Sequence, residues 1–371
     1  MWRKTINYKA LQQSIRQILS SNLVLYLYHL AITCAAYYYY LIGKAKDVEL
    51  YWLQKPEASQ WVEQGVIPLR EYFILYLNYP FVQWLHLPVE FGFLLYSTIG
   101  FVGILYWKRL VTYYVPSGIV ISGYNLLPIV YFLPNQHFFT SLLGKEPLVF
   151  LAIAGALHSL LVRKHIGIAI LFAILLAIVR PYMLPILLMA LVPYIIVQNR
   201  HRLPRLYMFL ATALVVGVAS IWMLLKSSWL QVFDFSRIQA LQQAHINVFA
   251  HTSGYIPIHE YWFPAQWFAF NFRPLPLEHQ ATFSWLISVE NLVLLAIFVF
   301  GIVCMFLVKK ALSLWRLDFW VFVLLSLLSV ALMAQIYANY GLLVRMKIMF
   351  QPFSLIIPLY YLAQRFAKTN K

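Results

Sequence analysis

Long apolar runs separated by short polar segments dominate this sequence, and many runs extend over roughly 16–20 residues. An α-helix of that length can cross about 30 Å of hydrocarbon. The residue-by-residue alternation typical of a membrane β-barrel is not evident. The pattern therefore predicts an all-α, polytopic membrane protein, a single transmembrane domain over residues 1–371 with about ten spans, at 22–43, 89–107, 112–133, 147–162, 166–180, 182–198, 206–225, 290–308, 319–337 and 348–364.

Composition agrees with a membrane protein and disagrees with a soluble one. Hydrophobic residues make up 62% of the chain and charged residues 11%, with a mean hydropathy of +0.73, whereas soluble domains carry about 25% charged residues. Cys34 and Cys304 both fall inside apolar runs, so they predict neither a disulfide framework nor a metal site. The first 22 residues read as a basic, amphipathic interfacial helix and not as a cleavable signal peptide.

The distribution of charge predicts the orientation. With the N-terminus in the cytoplasm, the predicted cytoplasmic segments hold 17 of the 28 Lys and Arg residues and one acid, Asp318. This asymmetry is what the positive-inside rule describes, and it places both termini in the cytoplasm. The net charge of +16 is thereby explained by topology, and we expect no nucleic-acid partner.

Arg180 lies in the middle of the apolar run "ILFAILLAIVRPYMLPILLMALVPYII" (170–196). A single span through this run would place a charge near the bilayer centre, at a cost of roughly 2.5–3.5 kcal/mol. It would also reverse the orientation of every later basic cluster. Pro181 and Pro185 suit a break or a helix start. We therefore predict two short spans that meet at "RPY", with Arg180 near the outer surface.

Three outer segments, 44–88, 134–147 and 226–289, are predicted to carry the functional site. The part "REYFILYLNYPFVQWLHL" of the first is apolar but interrupted by Asn-Tyr-Pro at 78–80, which predicts an interfacial or re-entrant piece. The third is rich in Trp, His, Pro and Phe. Long connections of this kind often carry function.

Candidate acid–base groups lie in the first two outer segments. Asp47 and Glu49 follow the first span; a carboxylate there could act as a general base or bind a metal with a phosphate, or simply belong to a solvated loop. The stretch "HFFTSLLGKEP" places His137, Lys145 and Glu146 between two predicted spans. A helix that begins at Lys145 favours an anion at its N-terminus, and the alternative is an ordinary helix start.

Basic residues near the outer face predict a binding site for phosphate. In "IYANYGLLVRMKIMF" a turn at Asn339 and Gly341 precedes Arg345 and Lys347. Arginine pairs bidentately with phosphate oxygens. We therefore predict a basic pocket with at least two members of a set of four, the alternative being cations that anchor at lipid headgroups; the set is Lys145, Arg180, Arg345 and Lys347.

The third outer segment suggests a lid over glycan and lipid. Aromatic rings suit a membrane interface, and sugars also stack on them. The lid candidates combine rings with polar groups: His251, Glu260, Trp262, Trp267 and Arg273. The four histidines of this segment do not have the spacing of a compact metal site, so no metal site is predicted there; they are His245, His251, His259 and His279.

The ordered motifs "LP…HFFTSLLGKE…LVRPY…FRPLP…LISVENLVLL…NYGLLVRMK" resemble a family of polytopic bacterial membrane proteins associated with cell-surface polysaccharide gene clusters. The resemblance covers much of the chain after about residue 44. Each motif is short, so its specificity lies in the order. Leu277 stands where the family pattern has Trp.

The resemblance implies an enzyme similar to O-antigen or exopolysaccharide polymerases and, more loosely, to C-type membrane glycosyltransferases. It implies glycosyl transfer or polymerisation at the outer face of the bacterial cytoplasmic membrane, with a lipid-linked sugar as substrate. Arginines would hold a polyprenyl diphosphate, and Asp47 or Glu49 would be the base, with His137 as second choice. We predict no cofactor and leave a divalent cation open. A transporter or flippase of a lipid-linked glycan is the alternative.

Overall fold

The computed structural model describes residues 21–53, 70–121, 124–199, 235–278, 284–308 and 316–367, with His201 and Ala211. The predicted N-terminal interfacial helix and the predicted span 206–225 fall largely outside the described residues. The strands of the described part are β1 (Val120–Ile121) and β2 (Tyr124–Asn125), paired antiparallel. All other regular elements are helical, so the predicted all-α class is confirmed.

The α-helices of the described part are, in chain order, α1 (Asn22–Leu41), α2 (Asp47–Tyr51), α3 (Glu71–Tyr79), α4 (Val89–Tyr114), α5 (Leu127–Tyr131), α6 (Pro134–Ser141), α7 (Lys145–Leu157), α8 (Ile166–Val179), α9 (Met183–Asn199), α10 (Phe235–Ala250), α11 (Phe263–Phe272), α12 (Ser284–Leu307), α13 (Leu317–Met333), α14 (Tyr340–Met346), α15 (Gln351–Ser354) and α16 (Ile356–Ala367). Short π- or 3₁₀-helical pieces extend or join them at Pro80–Trp84, His158–Arg163, Ile258–Glu260 and Lys347–Met349.

Several of these helices have the length and composition of membrane spans. Within the described residues, Val89–Tyr114, Lys145–Arg163 and Ser284–Leu307 are long and apolar enough to cross a membrane. A fourth candidate is the pair Tyr340–Met349 and Gln351–Phe366, which is bent by 54°. Part of the chain thus has helices that could span a membrane, as predicted.

Helices α4 and α7 pack closely and run in the same direction. A Cβ at Gly103 would lie 3.0 Å from the Leu151 backbone, and further along the Tyr106 ring lies 5.3 Å from the His158 ring. Glycine lets two helix backbones approach this closely in a membrane protein. Because the two helices are parallel, the chain between Tyr114 and Lys145 must return along α4.

That return is not the single helical span predicted at 112–133, and this prediction is wrong. Helix α4 ends at Tyr114, and the β-hairpin, α5 and α6 follow. Tyr131 lies beside Trp107, with ring centroids 5.8 Å apart, and Thr140 lies against Gly100. The apolar run is interrupted because Pro116, Gly118 and Pro128 do not suit a continuous helix.

The predicted outer segment 134–147 is therefore largely inside the helix bundle. Its polar side chains Asn135, Gln136 and His137 are buried. A broken backbone at this depth is tolerated where protein surrounds it. Helix α6 makes that contact with α1 and α4.

The predicted interfacial piece at 70–87 contains a short helix held by buried polar contacts. Helix α3 ends at Tyr79, next to Pro80. The Asn78 amide donates to the Tyr51 carbonyl at 2.9 Å and accepts from the Tyr96 hydroxyl at 2.9 Å. These bonds fix α3 against α2 and α4.

Gly100→Ala tests the close approach of α6 to α4. A Cβ at Gly100 would lie 1.9 Å from the Thr140 carbonyl oxygen, so we expect a loss of stability of about 1–3 kcal/mol. Thermal unfolding of the purified protein in detergent measures it. Gly167→Ala is the matched control, because a Cβ there meets nothing within 4 Å; equal unfolding temperatures for the two variants would contradict this packing.

Candidate functional site

Four charged side chains from separate elements form one group, here named the arginine cluster: Asp47, Glu146, Arg180 and Arg345. Arg345 is its centre. Its Nε and Nη2 donate to the two Glu146 carboxylate oxygens at 2.8 and 2.9 Å, and Nη2 also donates to Asp47 Oδ2 at 2.8 Å. One guanidinium thus joins the start of α2 to the start of α7.

Arg180 reaches the same carboxylate from the turn between α8 and α9. Its Nη2 pairs with Glu146 Oε1, and its Nη1 donates to the Tyr182 hydroxyl at 2.7 Å. The Arg180 side chain is only 6% exposed and that of Glu146 is 0% exposed. Arg180 Nε, also buried, has no hydrogen-bond partner among the described residues. Helix α8 ends at Val179, directly before Arg180, as predicted.

A second layer of charge borders the arginine cluster. Lys145 Nζ and Arg70 Nε each lie 3.4 Å from Glu71 Oε2. With these residues the group has four basic and three acidic side chains. One formal positive charge remains, so the site is an ion-pair network with a basic surplus and not the purely basic pocket that was predicted.

The arginine cluster is reachable from outside the bundle. The Asp47 side chain is 49% exposed and the Arg345 side chain 22% exposed, while Glu146 is fully covered. The buried carboxylate fixes the orientation of both guanidinium groups. The exposed edge of Arg345 and the Asp47 carboxylate can contact a ligand.

Two predicted residues lie away from the cluster because of helix geometry. Residues two apart on a helix do not face the same side. Glu49 is exposed, whereas Asp47 faces Arg345. Lys347 is fully buried and donates to Asn291 Oδ1, whereas Arg345 faces Asp47. Lys347 therefore does not lie with the other residues that were predicted to bind phosphate.

Lys347 belongs instead to a buried polar group with α12 and α6. It lies near the Glu290 carboxylate, which accepts the Asn135 backbone N–H at 2.7 Å. The Asn135 amide donates to the Val344 carbonyl at 3.4 Å. This group joins the broken return segment to the bent pair that begins at α14.

His137, the second choice for a base, also lies elsewhere. It is 1% exposed in α6, and its Nδ1 lies 2.9 Å from Nδ1 of His29 on α1. The side chain therefore faces α1 and not the arginine cluster.

The predicted lid is partly surface and partly core. His251, Glu260 and Trp262 are exposed. Trp267 is inserted between α12 and α13, where its Nε1 donates to Ser326 Oγ at 2.9 Å. Arg273 Nε lies 2.9 Å from both carboxylate oxygens of Glu278.

The same outer segment is bonded to the start of α14. The Tyr340 N–H donates to the Gly254 carbonyl at 2.8 Å, and the Asn339 amide donates to Thr252 Oγ1 at 2.9 Å. The Ile256 N–H donates to the Ala338 carbonyl at 3.1 Å. The predicted turn at Asn339 is present, since its side chain accepts from the Gly341 N–H at 2.8 Å.

Glu146 is the main member that was not assigned a role from the sequence. The available signal was an acid in the first turn of an otherwise apolar helix, since such a charge inside a membrane protein requires a partner. Among the described residues, no group of three or more His, Cys, Asp and Glu could hold a metal ion. His279 lies outside them.

Comparison of the chain with protein-family models, with curated proteins and with solved structures gives no match.

Glu146→Gln tests the arginine cluster as a structural unit. Removing this charge leaves two arginines without their shared buried carboxylate, so we expect a loss of about 3–5 kcal/mol. Thermal unfolding in detergent measures it. Glu71→Gln is the control, since its pairs are partly exposed and are worth about 0–1 kcal/mol. A Glu146 variant as stable as the Glu71 variant would refute the shared pair.

Proposed function

We propose that this chain transfers or polymerises sugar units carried on a polyprenyl (di)phosphate, at the outer face of the bacterial cytoplasmic membrane, in surface polysaccharide synthesis. The observation that carries the proposal is the arrangement of Arg345, which holds Asp47 at an exposed edge and shares Glu146 with Arg180. A phosphate ligand and a general base are thereby adjacent. The ordered sequence motifs support the same reaction class.

Charge supports an outer location for the arginine cluster. Helix α4 runs from the cluster's end of the bundle toward Lys108 and Arg109. Helix α7 and its extension run the same way toward Arg163 and Lys164. Positive residues concentrate on the cytoplasmic side of a membrane protein, so the cluster lies at the opposite face. We infer ten crossings, with 206–225 as one of them, and therefore both termini in the cytoplasm.

The transfer step uses the two exposed groups of the cluster. A donor phosphate oxygen replaces Asp47 on Arg345 Nη2, because guanidinium binds phosphate and carboxylate in the same geometry. The released Asp47 carboxylate takes the proton of the acceptor hydroxyl. The acceptor oxygen bonds to the sugar's anomeric carbon as the bond from that carbon to the phosphate breaks. Arg345 and Arg180 stabilise the charge that develops on the leaving polyprenyl (di)phosphate.

A transporter of a lipid-linked glycan is the second candidate, and a specific observation favours it. Two interrupted crossings, α5–α6 and α14–α16, meet at the buried Lys347, Glu290 and Asn135 group. Broken helices with ionisable groups between them are typical of transporters. For the enzyme, the same group serves to hold α14 and hence Arg345 in place.

Asp47→Asn and Arg345→Ala test the enzyme proposal. We expect each to lower transfer at least about 10²-fold, through loss of the base and of the phosphate ligand. The assay uses purified protein in liposomes with a polyprenyl-diphosphate-linked sugar and measures the released polyprenyl diphosphate. Asp318→Asn and Arg316→Ala are matched controls, because this ion pair of 3.0 Å lies at the other end of the bundle.

The outcomes separate the two candidates. Full transfer by both Asp47 and Arg345 variants, at normal protein level, would exclude the proposed site. Cells that lack the protein should accumulate lipid-linked sugar units on the outer leaflet if it is a transferase. Accumulation confined to the cytoplasmic leaflet would instead support the transporter.

A further inference from the structure

Two buried histidines meet nitrogen to nitrogen in the interior of the bundle. His29 of α1 is 0% exposed and His137 of α6 is 1% exposed. Their Nδ1 atoms lie 2.9 Å apart, which is hydrogen-bond distance. Such a contact requires one proton between the two nitrogens, because two lone pairs facing each other repel.

The protonation of the other nitrogen of each ring follows from its contact with a backbone carbonyl. His29 Nε2 lies 2.9 Å from the Ser97 carbonyl oxygen, and His137 Nε2 lies 2.7 Å from the Tyr131 carbonyl oxygen. A carbonyl oxygen only accepts, so both Nε2 atoms carry a proton. A neutral imidazole has one N–H, and two neutral rings therefore leave both Nδ1 atoms without a proton.

The alternative, in which both imidazole rings are neutral, fits the surrounding contacts less well. One ring would have to move its proton to Nδ1 and turn an Nε2 lone pair toward a carbonyl. His29 Nε2 could then accept from Ser141 Oγ, but this hydroxyl lies at 3.3 Å, farther than the Ser97 carbonyl at 2.9 Å. Burying an unmatched carbonyl has a free-energy cost.

We propose that His29 and His137 form a proton-binding site in which one proton is shared between the two Nδ1 atoms and the pair carries a single positive charge. The Ser97 and Tyr131 carbonyls accept from the two outer N–H groups and stabilise that charge. Burial acts against it. The site is separate from the arginine cluster, and the inference does not depend on the proposed enzymatic function.

In the described part of the chain the Tyr28 ring contacts His137 directly, edge to face with ring centroids 4.9 Å apart, and the nearby charged groups contact neighbours of the pair. On α1, the Tyr28 hydroxyl donates to the Phe132 carbonyl at 2.9 Å. On α4, Lys108 Nζ lies 5.5 Å from the centre of the Tyr131 ring. On α12, the Glu290 carboxylate contacts α6 at the Asn135 N–H. The charged groups of Lys108 and Glu290 are thus each held by a neighbour of the pair, at Tyr131 and at Asn135.

The pH dependence of stability tests the proposal by its sign. An unfolded histidine has a pKa of about 6.5. A site that binds its proton more tightly when folded stabilises the protein at low pH, and this contribution is lost as the pH rises through the folded-state pKa. Between about pH 6.5 and that folded-state pKa the ratio of folded to unfolded protein should fall by up to about tenfold per pH unit, relative to the double variant His29→Gln/His137→Gln, and above it the ratio should level off.

Thermal unfolding of the full chain in nanodiscs between pH 5 and pH 9 gives this comparison. His86→Asn is the control: His86 is exposed with φ of 48°, a backbone conformation that asparagine also adopts, and its pH profile should match the wild type. A wild-type advantage that stays level or grows as the pH rises from about 7 to 9 would overturn the proposal, because a pair buried neutral has no extra proton to release in that range.

Nitrogen-15 spectra of the wild-type protein with labelled histidine give a readout that does not depend on variants folding. At pH 7 we expect one proton to exchange between the two Nδ1 atoms across their hydrogen bond. We also expect the Nε2 atom of each ring to carry a proton. A ring with an unprotonated Nε2 paired to a neighbour protonated only at Nδ1 would show the neutral alternative and overturn the shared proton.

Discussion

A single buried carboxylate, Glu146, determines how one end of this bundle is arranged. Two guanidinium groups converge on it, from the turn after α8 and from α14, and one of them also holds the start of α2. Three chain segments far apart in sequence are thereby fixed at one point. In a low-dielectric interior the buried charges of Glu146 and Arg180 would be costly alone, so the segments that carry them depend on one another. These ion pairs also fix the orientation of the exposed edge of Arg345.

Interrupted crossings are the second constraint, and they explain why so many polar groups are buried. A backbone that breaks its helix inside the bundle needs other partners. Asn135 and Trp107 supply some of them: the Asn135 amide donates to the Val344 carbonyl, and Trp107 Nε1 donates to the Pro352 carbonyl at 2.8 Å. Helix α4 thus serves as the continuous element against which both interrupted crossings are held.

The sequence predicts those features whose signal is local. The all-α class, the break at Arg180 and the turn at Asn339 follow from apolar length, proline and charge placed in order along the chain. The convergence of Arg180 with Arg345 could also be predicted, because the charge distribution predicts both cations on the side that otherwise avoids excess positive charge.

Features that depend on residues distant in the chain could not be predicted from the sequence. Hydropathy alone does not distinguish a span from a buried, broken return, so residues 112–133 were misassigned. Lys347 and Arg345 are two positions apart and look equivalent in the sequence, but Lys347 faces Asn291 on another helix. His29 is a lone histidine in an apolar run until α6 brings His137 against it. Glu146 gained its role only once both arginines were placed.

The bonding of residues 252–256 to residues 338–340 has a mechanical consequence. Arg345 lies less than two turns after Tyr340 on the same short helix, and three hydrogen bonds tie the beginning of that helix to the outer segment. The segment and the helix are therefore linked, and a displacement of one affects the other. Lifting the segment away either breaks those three bonds or tilts the helix, and a tilt withdraws the Arg345 guanidinium from Glu146. The position of residues 252–256 and the alignment of Arg345 are thereby coupled through these three hydrogen bonds.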